Sequence, residues 1–508
     1  MYLTQSLHRA VQRAPDETMT ICGERRRSAR EVRDRVARLA GGLRGLGVAE
    51  GDRVAILAGN SDRYHETFYA SWWIAAAVTP VNLRWSPAEI IAALNDSGAE
   101  VLLVDEPFLG LLPQLHAGCP ELRTVVYCGE AAGPPGTRDY EELIAESGPV
   151  EDIRAGGDRL AALVYTGGTT GEPKGVMVSH RSLLTSALGT LASAATSVPG
   201  GRMLVSAPMF HIAALAGWSG QNSIGGSFVF LPGFRAEAAL RALEEHRITS
   251  LPLVPTMLQM LIDHPDVKEY DLTSVRRVSY GASAISESVL RRAMEVFPEA
   301  EFFQGYGMTE TAMITLLGGE EHRAGGALLR SAGRPLAHCE VRIVRPDGTE
   351  ARRGEVGEIV CRGDHLMLGY WNRPEETAVV LRDGWMHTGD GAFMDDDGYV
   401  FIADRIKDMI ITGGENVYSG EVENALAAHP AVASCAVVGL PDEHWGERVH
   451  AVVVLRPGTA ATEEDLQAHV RKLIAGYKVP RSVEFAEELP MSGSGKILKR
   501  ELRAGRAC

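Results

Sequence analysis

The sequence predicts an α/β protein in which a large N-terminal domain, made of parallel-rich αβ subdomains and a small β-barrel, precedes a smaller α+β domain. The length of 508 residues is enough for several domains. Short β-rich runs alternate with longer helical patterns over most of the chain, which is typical of parallel sheets covered by helices. Near Val341 the pattern changes to strands separated by turns, and near Asp408 to shorter mixed elements.

The first long helix is predicted over Ser28–Leu46, where apolar residues repeat at helical spacing. Ser28 and Glu31 form a capping-box pattern at its start. The basic run Arg25–Arg27 leads into this helix, and we interpret it as the solvated face of an amphipathic helix. The alternative, a patch that binds RNA or a membrane, is the weaker interpretation.

Strands and helices are predicted in alternation over the following 250 residues or so. The strand-like runs are Arg53–Leu57, Val101–Val104, Thr124–Tyr127, Leu160–Tyr165, Met203–Ser206, Ser227–Leu231 and Val275–Tyr280, and the helical patterns include Pro87–Ser97, Ala236–His246 and Ser286–Phe297. The most apolar run, Ser71–Leu83, is far shorter than the ~20 residues that span a bilayer. We expect it to be a buried passage from a helix to a strand.

Two further units are predicted towards the C-terminus. Val341–Val344, Val356–Cys361 and Tyr399–Ile402 are strand-like and separated by turn signals, which indicates a smaller antiparallel β unit. We expect the last segment, of about 100 residues, to be a separate α+β domain. Its helical patterns are Gly420–Ala428 and Thr462–Ala475, and its strand-like runs are Val432–Val438, His450–Leu455 and Ser482–Phe485.

Charge and cysteine content exclude several classes of protein. Asp plus Glu outnumber Lys plus Arg by 66 to 51, and the net charge of -15 opposes long-range attraction to nucleic acid or to anionic membranes. The seven cysteines are odd in number and none shows C-x-x-C spacing, which fits a reducing compartment better than a disulfide framework. Met1–Ala10 lacks a basic region followed by an apolar stretch, so we expect no signal peptide and a cytoplasmic protein.

A loop rich in glycine and threonine, Tyr165–Gly175, follows the predicted strand Leu160–Tyr165. Its glycines let the backbone turn sharply and present N–H groups to an anion. Its threonine hydroxyls add donors, and Lys174 adds a positive charge. The loop therefore predicts a cradle for a polyphosphate.

The loop is not a Walker A motif, which needs Gly-Lys-Ser/Thr at the start of a helix. Here Pro173 precedes Lys174, Gly175 follows it, and the next run, Val176–Ser179, is strand-like. The alternative is a Gly/Thr-rich hairpin that binds no ligand. The motifs that follow along the chain make this alternative the weaker one.

The loop resembles the signature of the adenylate-forming superfamily, which includes acyl- and aryl-CoA ligases, firefly luciferase and the adenylation domains of peptide synthetases. The usual pattern is Thr-Ser-Gly-Thr-Thr-Gly-x-Pro-Lys-Gly, and this chain departs from it once, with Gly168 at the Ser position. We expect this loss of one hydroxyl to change the kinetics modestly. The resemblance continues in family order over nearly the whole chain, through Pro208–His211, Gly281–Ser283, Gln304–Glu310, Thr388–Asp390, Asp404–Asp408, Gly413–Asn416 and Pro490–Lys496.

The resemblance implies a site for ATP, Mg²⁺ and a carboxylic acid. It assigns ATP or AMP binding to Thr166, Gly167, Gly168, Thr169, Thr170, Gly171, Lys174, Gly281, Ala282, Ser283, Gln304, Gly305, Tyr306, Gly307, Thr309, Asp390 and Arg405. Its catalytic residues are Lys496, His211 and Glu310. Glu310 is also the expected Mg²⁺ ligand, and Lys496 is expected to reach the substrate carboxylate and the α-phosphate. His211 is expected to be a gate at the carboxylate or thiol site, and the alternative is a satisfied core histidine.

The implied reaction is the ATP-dependent formation of an acyl-adenylate and pyrophosphate, followed by transfer of the acyl group to CoA. The first step joins two anions, so it needs charge neutralisation and in-line positioning more than a nucleophilic side chain. The resemblance divides the chain into an N-terminal domain, 1–404, and a mobile C-terminal domain, 405–508. The C-terminal domain is expected to rotate at the hinge Lys407, which withdraws Lys496 and brings Gly413 and Gly414 to a CoA channel.

The acid is expected to be uncharged beyond its carboxylate. Phe210–Ala214 lacks the Asp that amino-acid-activating relatives carry there, and Leu215, Gly217 and Trp218 continue an apolar run with small residues. Fatty, aryl and bulky alicyclic or terpenoid acids all fit. Transfer to a carrier-protein thiol and a degenerate nucleotide-binding protein are the alternatives. The partners are thus small molecules, without nucleic acid or a membrane span, and a homodimer is one possible state.

Overall fold

A computed structural model describes residues 1–167, 173–283, 285–405, 408–413, 415–442, 444–491 and 497–504, with the side chains of Arg405 and Asn416 left out. The α-helices are α1 Gln5–Arg13, α2 Ala29–Gly45, α3 Asp62–Trp73, α4 Pro87–Ser97, α5 Leu112–Gly118, α6 Tyr140–Glu146, α7 His180–Ser193, α8 Ile212–Ser223, α9 Ala236–Glu245, α10 Pro255–Ile262, α11 Glu287–Val296, α12 Gly319–Ala324, α13 Pro374–Val380, α14 Ser419–Ala427, α15 Glu463–Arg471 and α16 Lys499–Ala504. None of these helices is both long enough and apolar enough to cross a bilayer.

The strands alternate with these helices along the chain. They are β1 Thr18–Cys22, β2 Arg25–Ser28, β3 Arg53–Leu57, β4 Ala77–Pro80, β5 Val101–Val104, β6 Thr124–Tyr127, β7 Arg138–Asp139, β8 Leu160–Gly167, β9 Pro173–Ser179, β10 Arg202–Val205, β11 Ser227–Phe230, β12 Ser250–Leu253, β13 Arg277–Gly281, β14 Glu301–Met308, β15 Ala312–Leu317, β16 Arg334–Pro335, β17 Glu340–Val344, β18 Gly357–Arg362, β19 Gly369–Tyr370, β20 Leu381–Arg382, β21 Trp385–Met394, β22 Val400–Arg405, β23 Ile410–Thr412, β24 Glu415–Val417, β25 Val432–Asp442, β26 Gly446–Leu455 and β27 Ser482–Phe485.

Two large sheets form the N-terminal part of the chain. One has nine strands in the order β16-β15-β14-β13-β12-β10-β11-β1-β2, and the other has eight in the order β19-β9-β8-β4-β3-β5-β6-β7. Parallel pairs fill the middle of both sheets, and antiparallel pairs lie towards their edges. The predicted α/β class with parallel-rich subdomains is therefore confirmed.

The two sheets share one hydrophobic core that contains helices α2, α3 and α8. Val36 of α2, Phe68 of α3 and Trp218 of α8 belong to the same buried cluster as Val54 of the eight-stranded sheet and Phe228 of the nine-stranded sheet. Every residue of α3 is buried. The predicted buried passage over Ser71–Leu83 is confirmed, because it spans the end of α3 and the strand β4.

Two smaller units follow, the first antiparallel and the second mixed, since β26 and β27 pair in parallel. Strands β17, β18, β20, β21 and β22 form a five-stranded sheet at the place of the predicted small β unit. Strands β23 to β27 form another five-stranded sheet, which packs on α14 and α15 around its own core. The expected helix start at Thr462 is confirmed, since its hydroxyl accepts from the backbone N–H of Asp465 in a capping box.

The interpretation of Arg25–Arg27 as a solvated helix face is wrong. The helix begins at Ala29 with Ser28 as its N-cap, and the three arginines lie on β2, which pairs with β1. Arg25 donates to the buried Asp62 over 2.7 Å, and Arg27 lies 3.4 Å from the buried Glu66. Both carboxylates come from α3, so the sequence around the arginines contains no sign of them.

Candidate functional site

The glycine- and threonine-rich loop joins two antiparallel strands. Thr166 of β8 lies opposite Lys174 of β9, and Gly167 lies opposite Pro173, so the strands converge on the loop from both sides. The predicted strand after the loop is therefore confirmed. Gly168, Thr169, Thr170 and Gly171 lie outside the described residues. The hairpin is held against α4 because the hydroxyl of Tyr165 donates to Asp96 over 2.6 Å. The pKa of Tyr165 is raised, mainly by burial and secondly by this hydrogen bond.

Lys174 is connected to Glu310 through an aromatic side chain. Its ammonium group pairs with Glu376 and lies 5.4 Å from the ring centre of Tyr370. The hydroxyl of Tyr370 donates to Oε1 of Glu310 over 2.7 Å. The structure thus brings together two predicted residues that are 136 positions apart (310 − 174). Sequence reasoning missed Tyr370 and Glu376, which belong to no motif and reach the site because β19 pairs with β9.

Glu310 is buried at the turn between β14 and β15. Only 7% of its surface is exposed. Thr309, Glu310 and Ile212, the first residue of α8, line one small cavity. The structure therefore brings the predicted phosphate segment next to the predicted carboxylate segment.

His211 is the N-cap of α8 and is partly exposed. Its Nδ1 accepts from the backbone N–H of Ala213 over 3.4 Å. The side chain is therefore not a buried core histidine, and the next residue, Ile212, lines the cavity.

Glycines allow a close backbone approach at the ends of β13 and β14. Gly281 lies opposite Gly305 in the parallel register, and a Cβ on Gly281 would lie 2.3 Å from the carbonyl oxygen of Gly305. A Cβ on Gly307 would lie 1.7 Å from the carbonyl oxygen of Ala312. Ala282 takes a positive φ of 67°, which is rare for a residue with a side chain. The predicted segments that contain Gln304 and Ser283 thus end side by side.

Asp390 connects the nine-stranded sheet to the small antiparallel sheet that contains β21. The hydroxyl of Tyr306 on β14 donates to Oδ2 of Asp390 over 2.7 Å, and Asp390 is only 6% exposed. The hydroxyl of Thr388 accepts from the backbone N–H of Asp390 and donates to Ile359 of β18. Asp390 also lies opposite Arg405 in the pairing of β21 with β22. Three predicted nucleotide residues therefore meet at one place, and the side chain of Arg405 lies outside the described residues.

The predicted C-terminal residues are described only in part. Gly413 has a φ of +60° between β23 and β24, where a Cβ would lie 2.8 Å from the indole of Trp445. The predicted hinge Lys407, the second glycine Gly414 and the catalytic Lys496 lie outside the described residues. Around the predicted domain boundary, Asp404 accepts from the backbone N–H of Ser419 over 2.6 Å.

Only some of the residues predicted to line the acyl pocket are accessible in the structure. On α8, Leu215 and Trp218 are buried in the shared core, and Trp218 donates to Nδ1 of the buried His65 over 2.9 Å. Apart from Ser223 at its C-terminal end, the accessible positions of the helix are Ala213, Ala214 and Gly217, which have small side chains or none. Trp218 is therefore a core residue that positions the helix.

Comparisons with known proteins agree with this geometry. The model of the AMP-binding enzyme family matches residues 7–371, and that of the AMP-binding enzyme C-terminal domain matches residues 421–496. The chain belongs to the AMP-binding enzyme family. It is thus a member of the adenylate-forming superfamily and an enzyme of the AMP-forming acyl-CoA synthetase class.

Individual relatives in the family are similar over almost their whole length. A feruloyl-CoA synthase from an Amycolatopsis species is 42% identical over 93% of this chain and 92% of its own. The fatty acid–[acyl-carrier-protein] ligase ScoC from Streptomyces coeruleorubidus is 38% identical over 98% of this chain and 95% of its own. A crystal structure of the anthranilate CoA ligase AuaEII in complex with anthranoyl-AMP has a TM-score of 0.92 at 26% identity, over 99% of this chain and 97% of that one.

Proposed function

We propose that this enzyme activates an apolar carboxylic acid with ATP and transfers the acyl group to CoA. The acid's carboxylate oxygen attacks the α-phosphorus of ATP, and pyrophosphate leaves. The CoA thiol then attacks the acyl carbon, and AMP leaves with the oxygen that joined the two. The observation that carries this proposal is that Tyr370 bridges the loop residue Lys174 and Glu310, together with the hydrogen bond from Tyr306 to Asp390.

The charges of these residues suit the first step. Lys174 stands at the end of the hairpin that holds the glycine loop, where a cation and backbone N–H groups favour a polyphosphate. Asp390 is buried and accepts from Tyr306, so its carboxylate is fixed for hydrogen bonds from ribose hydroxyls. Thr309 is expected to donate to phosphate, and His211 to gate the acid at the start of α8.

Glu310 fits a magnesium ligand. Hard cations prefer carboxylate oxygens, and Tyr370 holds Oε1 of Glu310 in place over 2.7 Å. When bound, Mg²⁺ would supply positive charge that offsets the charge of the phosphates. Glu310→Gln should therefore raise the Mg²⁺ concentration needed for half-maximal activity, and an unchanged requirement would remove Glu310 from the metal site.

The C-terminal domain supplies the other half of the proposed site. We place the domain boundary between residues 404 and 405 and the hinge at Lys407, with Lys496 acting in adenylation and Gly413 and Gly414 in thioester formation. The separate core of β23 to β27 supports this division. Gly413 approaches the Trp445 ring closely, which shows how tightly the chain is packed at this turn.

The acid class follows from α8 and from the relatives. Ala213, Ala214, Gly217 and the terminal Ser223 are the accessible residues of this helix, and none is charged. The feruloyl-CoA synthase relative favours an aryl acid among the fatty, aryl and alicyclic acids that fit an apolar site. The proposal is tested by incubating the enzyme with ATP, Mg²⁺, CoA and each acid of a panel, and by measuring the release of pyrophosphate. Pyrophosphate release that does not require an added acid, or no pyrophosphate release with any acid, would contradict the proposal.

A carrier-protein thiol is the second candidate acceptor, because ScoC is a fatty acid–[acyl-carrier-protein] ligase. The ratio of thioester formed with CoA to that formed with a phosphopantetheinylated carrier protein separates the two acceptors. We expect CoA to be preferred. Binding of ATP without adenylate formation for every acid would instead favour a degenerate nucleotide-binding protein.

A further inference from the structure

Two cysteines lie on the same face of the small antiparallel sheet, Cys361 on β18 and Cys339 at the residue before β17. Cys361 of β18 lies opposite Val341 of β17, and Cys339 precedes Val341 by two residues. Side chains two positions apart on a strand point to the same face, so the two cysteines are diagonal neighbours. Both are buried free thiols.

His365 completes a cluster with these thiols. It follows β18 and is 2% exposed, and one ring nitrogen and the two sulfur atoms all lie within 4.8 Å of one another. Gly363 allows this approach, because a Cβ there would lie 2.7 Å from Nδ1 of His365 and 2.4 Å from the carbonyl oxygen of His338. Its φ of +157° also suits a glycine.

The imidazole of His365 is buried without a hydrogen bond. Among the described residues, neither Nδ1 nor Nε2 has a partner. Buried polar groups are nearly always paired, because an unpaired group loses its hydration and gains nothing in return. A ligand that accepts electron pairs from nitrogen and sulfur would satisfy this group.

We propose that Cys339, Cys361 and His365 bind a thiophilic divalent cation of the Zn²⁺ type. Two thiolates and one imidazole are ligands that Zn²⁺ prefers, and the two thiolate charges balance the charge of the ion. In a tetrahedral zinc site neighbouring ligand atoms lie about 3.5–3.8 Å apart, so small side-chain rotations bring atoms within 4.8 Å into place. Three protein ligands leave a fourth position open. A disulfide between the two cysteines would leave His365 unpaired, which favours the metal.

The cluster does not include the proposed magnesium ligand Glu310, but the two are linked by a shared cavity and a backbone hydrogen bond. His365 lines the small cavity that Thr309 and Glu310 also line. The backbone N–H of Met367, two residues further on, donates to the carbonyl oxygen of Glu310 over 2.8 Å. An ion held by His365 would therefore fix the segment that supports Glu310. The metal site itself does not depend on the proposed reaction.

Cobalt provides a direct test with the full-length wild-type protein. The protein is purified under reducing conditions, treated with a chelator and titrated with Co²⁺ and then with Zn²⁺. We expect one equivalent of Co²⁺ to produce thiolate-to-cobalt charge-transfer absorption and tetrahedral d–d bands, and Zn²⁺ to abolish both. Absence of these bands would overturn the proposal, as would a disulfide between Cys339 and Cys361 in the freshly purified protein.

Variants assign the bands to the three residues. Cys339→Ser, Cys361→Ser and His365→Asn should each weaken Co²⁺ binding by more than about 10-fold, since even changes outside the ligand shell cost 10–100-fold. Cys435→Ser is the matched control, because Cys435 is a buried free thiol in the C-terminal core. Circular dichroism of each metal-free variant checks folding. Unchanged binding in the ligand variants, or equal loss in Cys435→Ser, would contradict the assignment.

Discussion

Tyr306 and Asp390 are 84 residues apart in the sequence and are joined by a hydrogen bond of 2.7 Å. We expect Tyr306→Phe to raise KM for ATP by about 10-fold, because a hydrogen bond to a charged group contributes about 1.5–3 kcal/mol. Steady-state kinetics at saturating acid and CoA measure this effect. Tyr399→Phe is the matched control, since Tyr399 donates to Glu321 over 3.1 Å outside the candidate site. Equal effects of the two substitutions would remove Tyr306 from the nucleotide site.

His65 predicts how stability depends on pH. Burial lowers its pKa to about 3, while the unfolded chain has the ordinary value of about 6.5. Between these values the unfolded state binds a proton that the folded state does not, so stability falls as the pH is lowered from 6.5 towards 3. His180, with a pKa lowered by burial to about 4, acts in the same direction.

We expect His65→Gln to reduce the slope of unfolding free energy against pH by about 1.4 kcal/mol per pH unit between pH 4 and 6. The amide can still accept from Trp218, so the loss of titration is the main change. Urea unfolding at several pH values measures the slope. The exposed His116 provides the control, and His116→Gln should leave the slope unchanged. An unaltered slope in His65→Gln would show that His65 is not neutral in the fold.

At the scale of elements, a buried ion-pair network joins β2, α2, α3 and α6. Glu66 is fully buried and accepts from Arg35 at 2.7 Å and 3.0 Å, and from Tyr140 at 2.8 Å. We expect Glu66→Gln to lower the unfolding free energy by about 3 kcal/mol, because it removes the charge of the fully buried partner and leaves the half-buried Arg35 and Arg27 with only Glu141 and Asp62. Denaturant unfolding measures this change.

Glu237→Gln is the control for that experiment. Glu237 pairs with Arg241 on the exposed surface of α9. Exposed pairs contribute only about 0–1 kcal/mol, so this substitution should have almost no effect. A loss in Glu66→Gln no larger than in Glu237→Gln would show that the network does not stabilise the fold.

The same elements show what the sequence could predict. Helix α4 and strands β3, β5 and β6 were predicted with their exact bounds, because periodicity and caps are local signals. The ion-pair network was missed because Asp62 and Glu66 meet Arg25 and Arg27 only through tertiary packing. Tyr370 and His365 were missed for the same reason, since β19 and the turn after β18 lack a local motif. The nucleotide-binding residues were predicted because the loop motifs resemble those of the family.

At the scale of the whole molecule, the proposed division of labour between two domains predicts a separation of the two steps. Lys496→Ala should abolish adenylate formation and spare CoA attack on a supplied acyl-adenylate, because Lys496 is proposed to act only in the first arrangement. Single-turnover assays of each step measure the two rates. Equal loss of both would contradict the proposed rotation at Lys407.

If the acid's carboxylate attacks the α-phosphorus of ATP, one carboxylate oxygen must end in AMP. The enzyme is incubated with ATP, Mg²⁺, CoA and an accepted acid whose carboxylate carries heavy oxygen, and the nucleotide products are analysed by mass spectrometry. We expect pyrophosphate and AMP that contains one heavy oxygen from the acid. Formation of ADP and phosphate, or of AMP without the label, would contradict it.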